Sequence, residues 1–262
     1  MRSRFQIYKI GNKLLYQKIN RAIGQSVNDF EMIAPGDKIL VAISGGEDSL
    51  CMLYFLKEFK KKAPIYFDIL AINVDQKQPG FPTEILPKLF KEWNVPYEIV
   101  EQDTYRVVAE KTLPGKSYCS LFSRLSRGIL YDSARNFGCN KIALGHHRED
   151  VLETFMMNLF FSGQLGSMPA YYQIQVGDLQ VIRPLFSVHE DWIADFVQAQ
   201  GWSIIPCNLC GSQEYLKRRE MKELLNQLQY PKLKETAFRS LHNLKPKFLF
   251  DQMSWETEIS KI

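Results

Sequence analysis

The chain lacks the features that mark membrane, disordered and fibrous proteins. None of its apolar runs approaches the roughly 20 residues that a bilayer-spanning helix needs. Its start, MRSRFQIYKIGNK, has basic residues without the apolar stretch of a signal peptide. Internal repeats and low-complexity stretches are also lacking, and the composition, 45% apolar and 24% charged residues, is typical of a globular enzyme. We therefore expect a cytoplasmic protein without a membrane partner.

Segments that could separate two domains are scarce. Apart from SGQLGSMP, residues 162–169, the chain has no linker rich in Pro, Gly or Ser. We expect one main domain over residues 31–205, preceded by a basic helical segment over 1–30 and followed by a second basic helical segment over 206–262.

A paired set of cysteines is also missing. The five cysteines are Cys51, Cys119, Cys139, Cys207 and Cys210. An odd number in a chain large enough to bury its own core argues against a disulfide framework. We interpret Cys51 and Cys139 as core residues, whereas reduced thiols, metal binding or sulfur chemistry remain open for the others.

The small net charge of +4 conceals an uneven distribution. Residues 1–21 contain six Lys or Arg and no acid, and residues 214–247 contain nine Lys or Arg against four acids. The stretch between them has 17 bases against 22 acids. Basic ends indicate either a polyanionic partner such as nucleic acid or simply solvated helix faces.

The acidic middle alternates predicted strands with predicted helices. Strands are predicted at 38–43, 65–74, 97–100 and 141–145, and helices follow them at about 48–61, 83–93, 120–137 and 149–161. A hairpin turning at Gly177 and Asp178 is a further possibility. Buried strands that alternate with helices predict an α/β fold with a doubly wound parallel sheet.

The most specific motif is ISGGEDS, residues 43–49, between a buried strand and a helix. Its glycines let the backbone approach a ligand, and the helix start offers free N–H groups and a positive dipole end. Phosphate is the natural ligand, although the motif is neither a Walker A loop nor GxGxxG. A plain strand-to-helix turn is the alternative.

The motif resembles the SGGxDS phosphate loop of PP-loop ATP pyrophosphatases. AINVDQKQPGFP (71–82), SRLSRGILY (123–131), KIALGHHRED (141–150) and IIPCNLCGSQ (204–213) narrow the resemblance to the TtcA family of tRNA 2-thiocytidine biosynthesis proteins. That family implies an adenine nucleotide alpha hydrolase-like, Rossmann-like sheet with helical N- and C-terminal extensions.

The resemblance implies ATP and Mg²⁺ as cofactors. Asp48 would be the carboxylate on the Mg²⁺ side, and Asp150 a catalytic residue that positions Mg²⁺ or handles a proton. His146 and His147 would either face the nucleotide or pack behind the site. The residues assigned to ATP are Ser44, Gly45, Gly46, Asp48, Ser49, Ile72, Asn73, Gly145 and His146.

The family holds a 4Fe-4S cluster on three cysteines, two of them from a CxxC motif in which Phe122 here replaces the second. The remaining candidates for catalysis and iron ligation are Cys119, Cys207 and Cys210. Three outcomes stay open: a cluster in which Cys210 is the replacement ligand, a persulfide on a cysteine without a cluster, or loss of sulfur transfer. Phenylalanine has no ligand atom for iron.

Three other positions depart from the family. Glu47 stands where a lysine is usual, Ser126 where a basic residue is usual, and Glu149 where an aspartate is usual. A carboxylate at residue 47 would weaken ATP binding or slow pyrophosphate departure unless it points away or joins Asp48 at the metal.

The resemblance predicts an ATP-dependent tRNA thiolase that adenylates the C2 oxygen of a cytidine. The partners would be tRNA, a sulfur donor such as a cysteine desulfurase, and a second copy of the chain in a homodimer. The alternatives are a PP-loop enzyme with another substrate and a nucleotide-binding protein without thiolase activity. Candidate RNA contacts are Arg124, Arg127, Lys217, Arg218 and Arg219, with Lys9, Lys13, Lys18, Arg21 and Lys222 as further basic residues.

Overall fold

The computed structural model describes residues 4–106, 119–205, 215–228, 230, 232–245, 248 and 249. Within them, no helix combines the length and the hydropathy needed to cross a bilayer.

Six strands form one mixed sheet in the order β3-β2-β1-β4-β6-β5. All neighbouring strands are parallel except β5, which runs antiparallel to β6. The chain builds the sheet outward from β1 to β3 and then returns to place β4 on the other side of β1. The strands are β1 Lys38–Ala42, β2 Asp68–Asp75, β3 Tyr97–Glu101, β4 Lys141–Ala143, β5 Tyr171–Gln173 and β6 Gln180–Ile182.

Helices cover both faces of this sheet. The first of them, α1, buries Ile19, Ile23 and Val27 at intervals of four residues, which is the spacing of one helix face. In chain order the helices of the described residues are α1 Arg4–Asp29, α2 Glu47–Lys62, α3 Ile85–Glu92, α4 Cys119–Asn136, α5 Arg148–Met157, α6 Glu190–Gln200, α7 Tyr215–Gln227 and α8 Leu233–Ser240.

Strand β1 shows how the core is divided between the two faces. Its side chains alternate, so that Ile39 and Val41 join a cluster containing α1, α2 and α6 residues, whereas Leu40 joins a second cluster with α4. Cys51 lies in the first cluster and Cys139 in the second, both buried and free. The prediction that these two cysteines belong to the core is confirmed.

A buried ion pair joins the amino-terminal ends of β1 and β4. Lys141 Nζ lies 2.8 Å from Asp37 Oδ2 and donates to the Met32 carbonyl. Asp37 also accepts hydrogen bonds from Asn140 and from the Ala34 backbone. Both charges are therefore hydrogen-bonded as well as paired, which is the condition under which a buried pair is tolerated.

The predicted order of strands and helices is confirmed, and so is the hairpin. Gly177 has φ +82°, and the Ile174 N–H donates to the Leu179 carbonyl across the turn. The structure differs where one helix was expected over 149–161: the α-helix ends at Met157 and continues as a π-helical turn, Asn158–Ser162. Gly163, at φ +62°, ends that turn in the left-handed region.

Candidate nucleotide site

The phosphate loop leaves β1 at the point where the strand order reverses. β1 and β4 are neighbours, yet β2 and β3 come between them in the sequence. In open α/β sheets, ligands bind beyond the carboxyl ends of the strands at such a position. The loop of residues 44–46 and the segment from Gly145 to Asp150 both begin at this edge.

The start of α2 is left open to an anion. Gly46 is its N-cap residue, with extended backbone angles (φ −77°, ψ 168°) and no side-chain hydrogen bond to the helix. The first N–H groups of a helix have no partner within the helix, and they carry the positive end of its dipole. An incoming phosphate group can satisfy these donors.

Ser49 connects the residues of the loop through hydrogen bonds. Its buried hydroxyl donates to the Gly46 carbonyl at 3.0 Å and accepts from the Gly45 N–H at 3.2 Å. The Ser44 hydroxyl lies 3.2 Å from the hydroxyl oxygen of Ser49. Ser49 therefore stabilises the shape of the loop, and its contact with phosphate stays a prediction from the sequence.

Two glycines are required by close approaches. Gly45 has φ +93°, and a Cβ there would lie 2.8 Å from Ile205 Cδ1. Gly145 follows β4, and its Cβ would lie 3.2 Å from the backbone of both Asp48 and Ser49. The end of β4 consequently lies directly against the first turn of α2, which brings two distant motifs into one crevice.

Carboxylates surround the buried ring of His147 in this crevice. Nε2 lies 3.8 Å from an oxygen of Asp48 and 3.6 Å from one of Asp150, and Nδ1 lies 3.6 Å from one of Glu149. The Asp150 carboxylate also accepts the His147 backbone N–H at 3.1 Å, which caps α5. The Asp150 N–H also points at Nδ1, at the long distance of 3.4 Å. Because three carboxylates lie within 3.8 Å of the ring nitrogens, we assign His147 as the imidazolium.

The electrostatics agree with this assignment. Burial acts to lower the pKa of His147, but the Glu149 hydrogen bond and the charges of Asp150 and Asp48 outweigh it and raise the pKa to about 9. Burial, together with the charges of Asp150, Glu190 and Glu47, raises the pKa of Asp48 to about 6 despite His147. The crevice thus has more carboxylates than cations to pair with them.

His146 has the opposite character. Burial and the adjacent Arg183 lower its pKa to about 4. Arg183 Nε donates to His146 Nδ1 at 3.2 Å, so the neutral ring carries its proton on Nε2. Arg183 itself lies over the ring of Tyr172 and donates to the Pro169 carbonyl. His146 can therefore donate a hydrogen bond but does not bring a charge to the site.

Glu149 links two helices through its side chain. Its buried carboxylate pairs with Arg148 and accepts the Glu190 N–H at 2.8 Å, at the first residue of α6. Burial opposes ionisation, yet His147, Arg148 and that backbone donor lower the pKa of Glu149 to about 2. The carboxylate joins the start of α5 to the start of α6.

Comparisons with known proteins define the family. A model described as PP-loop domain matches residues 15–228. The chain is 49% identical to a tRNA-cytidine(32) 2-sulfurtransferase of Tolumonas auensis, over 92% of this chain and 80% of the relative. It is 46% identical to a protein of the same name from Chromohalobacter salexigens, over 95% and 89%.

The chain belongs to this family of PP-loop proteins.

A solved structure agrees with the fold. The U34-tRNA thiolase NcsA from Methanococcus maripaludis, with its [4Fe-4S] cluster, superimposes with a TM-score of 0.69 over 88% of this chain and 79% of that one. The two sequences are 22% identical. The match supports the doubly wound sheet of a PP-loop protein.

The predicted adenosine contacts occupy the end of β2. The Ile72 carbonyl accepts from the Ile43 N–H, and the buried Asn73 amide donates to the Ile43 carbonyl. Both residues therefore hold the phosphate loop to the sheet. Nearby, Gln76 donates to the hydroxyl of Ser126 at 3.0 Å, which connects the end of β2 to α4.

The predicted RNA contacts fall into three different settings. Arg124 and Arg127 are exposed on α4. Lys217 lies 4.6 Å from the centre of the exposed Phe161 ring, and Arg219 pairs with Glu223 on its own helix. Arg218 instead reaches the crevice, where its Nη1 lies 3.0 Å from Asp150. This contact was not predicted, because nothing in the local sequence signals a pairing across 68 residues.

The cysteine predictions lie mostly outside the described residues. Cys207 and Cys210 fall between Ile205 and Tyr215, and Cys119 is described only as the first backbone residue of α4. Among the described residues, no group of three or more His, Cys, Asp or Glu side chains is arranged to hold a metal ion. Iron ligation therefore stays a prediction from the sequence.

Proposed function

We propose that this chain is an ATP-dependent tRNA thiolase that converts cytidine 32 of tRNA to 2-thiocytidine. The observation that carries the proposal is the open phosphate loop between β1 and α2, placed directly against the acidic start of α5. The two relatives named tRNA-cytidine(32) 2-sulfurtransferase support the choice of substrate.

ATP fits the described loop. The free N–H groups at the start of α2 would bind its phosphate oxygens, and Gly45 gives them an approach without a side chain. Asp48 and Asp150 would be the carboxylates on the Mg²⁺ side. Mg²⁺ usually takes only one or two protein carboxylates and completes its coordination with phosphate oxygens and water, so two such residues suffice.

The first chemical step would be adenylation. The C2 oxygen of the cytidine attacks the α-phosphorus of ATP, the bond between the α-phosphorus and the bridging oxygen breaks, and pyrophosphate leaves. The new C2–O–AMP linkage turns a poor leaving oxygen into a good one. The helix dipole and backbone donors of the phosphate loop would stabilise the charge that develops on pyrophosphate.

The second step would replace that oxygen by sulfur. Sulfur at the hydrosulfide level attacks C2, the C2–O bond breaks, and AMP leaves with the oxygen while one proton is released. No oxidant or reductant is consumed when the sulfur donor supplies sulfur in the oxidation state of hydrosulfide. Cys119, Cys207 and Cys210 are the residues that we assign to holding the sulfur through an iron-sulfur cluster. If one of them instead carried the sulfur as a persulfide, the outer sulfur would attack C2, a second cysteine would break the resulting S–S bond, and an external dithiol would reduce the disulfide formed between the two cysteines.

The RNA would be held by exposed cations. Arg124, Arg127, Lys217 and Arg219 are exposed and suit contacts to phosphates, which fix the RNA without reading its sequence. The target base must leave its stack to reach the crevice, and this costs less in a single-stranded loop than in a duplex.

The decisive experiment is nucleoside mass spectrometry of tRNA from cells with and without this gene. We expect 2-thiocytidine to disappear in the deletion strain and to return with the wild-type gene but not with an Asp150→Asn variant. An unchanged 2-thiocytidine level in a strain without a second thiolase gene would refute the proposal.

A purified system separates the alternatives. Pyrophosphate release that depends on tRNA containing cytidine 32 supports the thiolase. Release that persists with uridine at that position indicates another substrate, and absence of release with intact ATP binding indicates a nucleotide-binding protein.

A further inference from the structure

The stretch that contains Cys207 and Cys210 is bounded in the sequence by two contacts with the nucleotide site. On its N-terminal side, the Ile205 N–H donates to the Gly45 carbonyl of the phosphate loop at 2.9 Å. The buried Ile205 side chain fills the space that a Cβ on Gly45 would need. Residue 205 is therefore fixed against the loop through both its backbone and its side chain.

On the C-terminal side, Arg218 of α7 makes three contacts with α5. Its Nη1 lies 3.0 Å from Asp150 Oδ1 and 3.5 Å from Glu153 Oε2, and its Nη2 donates to the Thr154 hydroxyl at 3.3 Å. The three partners occupy one face of α5, since residues 150, 153 and 154 are three and four positions apart. Arg218 thus docks α7 on the helix that begins at the crevice.

We propose that Arg218 is a positioning residue of the nucleotide site, which acts by holding the Asp150 and Glu153 carboxylates and by fastening α7 to α5. This inference rests on the proposed function, because Asp150 is one of the two carboxylates that we assign to the Mg²⁺ side of ATP. It replaces the role of RNA contact that the basic cluster at 217–219 suggests.

Charge balance favours this role over a phosphate contact. Glu153 is buried, and desolvation together with Asp150 raises its pKa to about 7, against the opposing effect of Arg218 and Lys222. A phosphate that captured Arg218 would leave the two carboxylates without their guanidinium partner. Removing one member of such a group is costly because the remaining charges lose their compensation. Arg219, one residue away, pairs with the exposed Glu223 of its own helix.

The first test compares Arg218→Ala with Arg219→Ala, which removes an exposed cation from the same helix. Affinity is measured for a non-hydrolysable ATP analogue with Mg²⁺, and separately for tRNA as a function of salt. For Arg218→Ala we expect about tenfold weaker analogue binding and a less than twofold change in tRNA affinity. For Arg219→Ala we expect unchanged analogue binding, weaker tRNA binding and a shallower salt dependence.

A double-mutant cycle tests whether the effect passes through Asp150. In an Asp150→Asn background, Arg218→Ala should weaken analogue binding by less than about threefold, because the partner carboxylate is already neutral. Arg218→Lys keeps the charge but loses the planar guanidinium group that contacts several partners at once. Its affinity for the ATP analogue should therefore lie between those of the wild type and Arg218→Ala.

Hydrogen exchange supplies a readout that needs no activity and no bound nucleotide. In Arg218→Ala, amides of α7 should exchange faster while those of the sheet stay unchanged, and Arg219→Ala should behave as the wild type. The inference is overturned if Arg218→Ala and Arg219→Ala weaken tRNA binding alike with analogue affinity and α7 exchange unchanged, or if the cycle is additive. If the wild-type protein made no 2-thiocytidine, the proposed function would be refuted, but the expected results for Arg218→Ala and Arg219→Ala would stay the same.

Discussion

The imidazole of His147, the N-cap residue of α5, lies 3.8 Å from the carboxylate of Asp48 in the first turn of α2. These residues come from opposite sides of the crevice and are 99 positions apart in the sequence. Asp150 and Glu149 contact the same ring. The imidazolium therefore acts as the central cation that holds the acidic crevice together.

The first prediction concerns the pH dependence of stability. The pKa of His147 is raised from 6.5 to about 9 in the folded protein, so the folded state binds the proton more tightly than the unfolded state. The stabilisation from His147 is fully present below pH 6.5 and is lost as the pH rises through 9. Urea unfolding between pH 6 and 10 should show a loss of about 3 kcal/mol that His147→Asn largely lacks. Equal pH dependence in the two proteins would contradict the assignment.

The second prediction concerns Gly45. Gly45→Ala combines a positive φ with a contact of 2.8 Å to Ile205, so we expect a loss of about 2 kcal/mol in unfolding free energy and weaker ATP binding. Gly46→Ala is the matched control, because its Cβ would meet nothing closer than the Ser44 hydroxyl at 3.6 Å and its φ is negative. Adding Ile205→Ala to Gly45→Ala should relieve the contact but not the backbone strain. Thermal unfolding and analogue titration measure both effects, and equal losses in the two glycine variants would be inconsistent with this geometry.

The third prediction concerns the buried ion pair of Lys141 and Asp37, at the amino-terminal ends of β1 and β4. Lys141→Met leaves Asp37 buried without its cation, and we expect a loss of about 3 to 5 kcal/mol in unfolding free energy. Lys60→Met, which breaks the half-buried pair with Asp68, should cost less than about 1 kcal/mol. Both are measured by denaturant unfolding at neutral pH. Similar small losses would show that Asp37 finds sufficient compensation from Asn140 and Ala34.

Much of this arrangement could be predicted from the sequence, because it depends on local patterns. The continuous apolar run of β1, the glycines after it and the turn at Gly177 each encode their own geometry. The same reasoning placed Cys51 and Cys139 in the core. The pairing of Arg218 with Asp150 and the capping of α6 by Glu149 were not predictable, since they depend on how separate helices pack. A basic cluster in the sequence shows that cations are present, but it does not show which of their side chains contacts the crevice.

The fourth prediction concerns the missing cysteine. Phe122→Cys restores a thiolate at the position where the family has its second CxxC ligand, so iron and sulfide content after anaerobic reconstitution should rise above the wild-type value. Phe122→Ser removes the same ring without adding a ligand and serves as the control. An increase in both variants would indicate that relief of crowding, rather than ligation, decides whether iron binds.

The last prediction concerns Glu47, the first residue of α2. It adds a negative charge beside the phosphate loop and contributes to the raised pKa of Asp48. Glu47→Lys should bind ATP about threefold to tenfold more tightly at low salt, because a repulsive charge is exchanged for an attractive one. Glu47→Gln should recover part of the gain, and both gains should shrink as salt is added. Titration of the ATP analogue at two salt concentrations measures this. Weaker binding by both variants, together with a higher Mg²⁺ requirement, would instead show that the Glu47 carboxylate joins Asp48 at the metal.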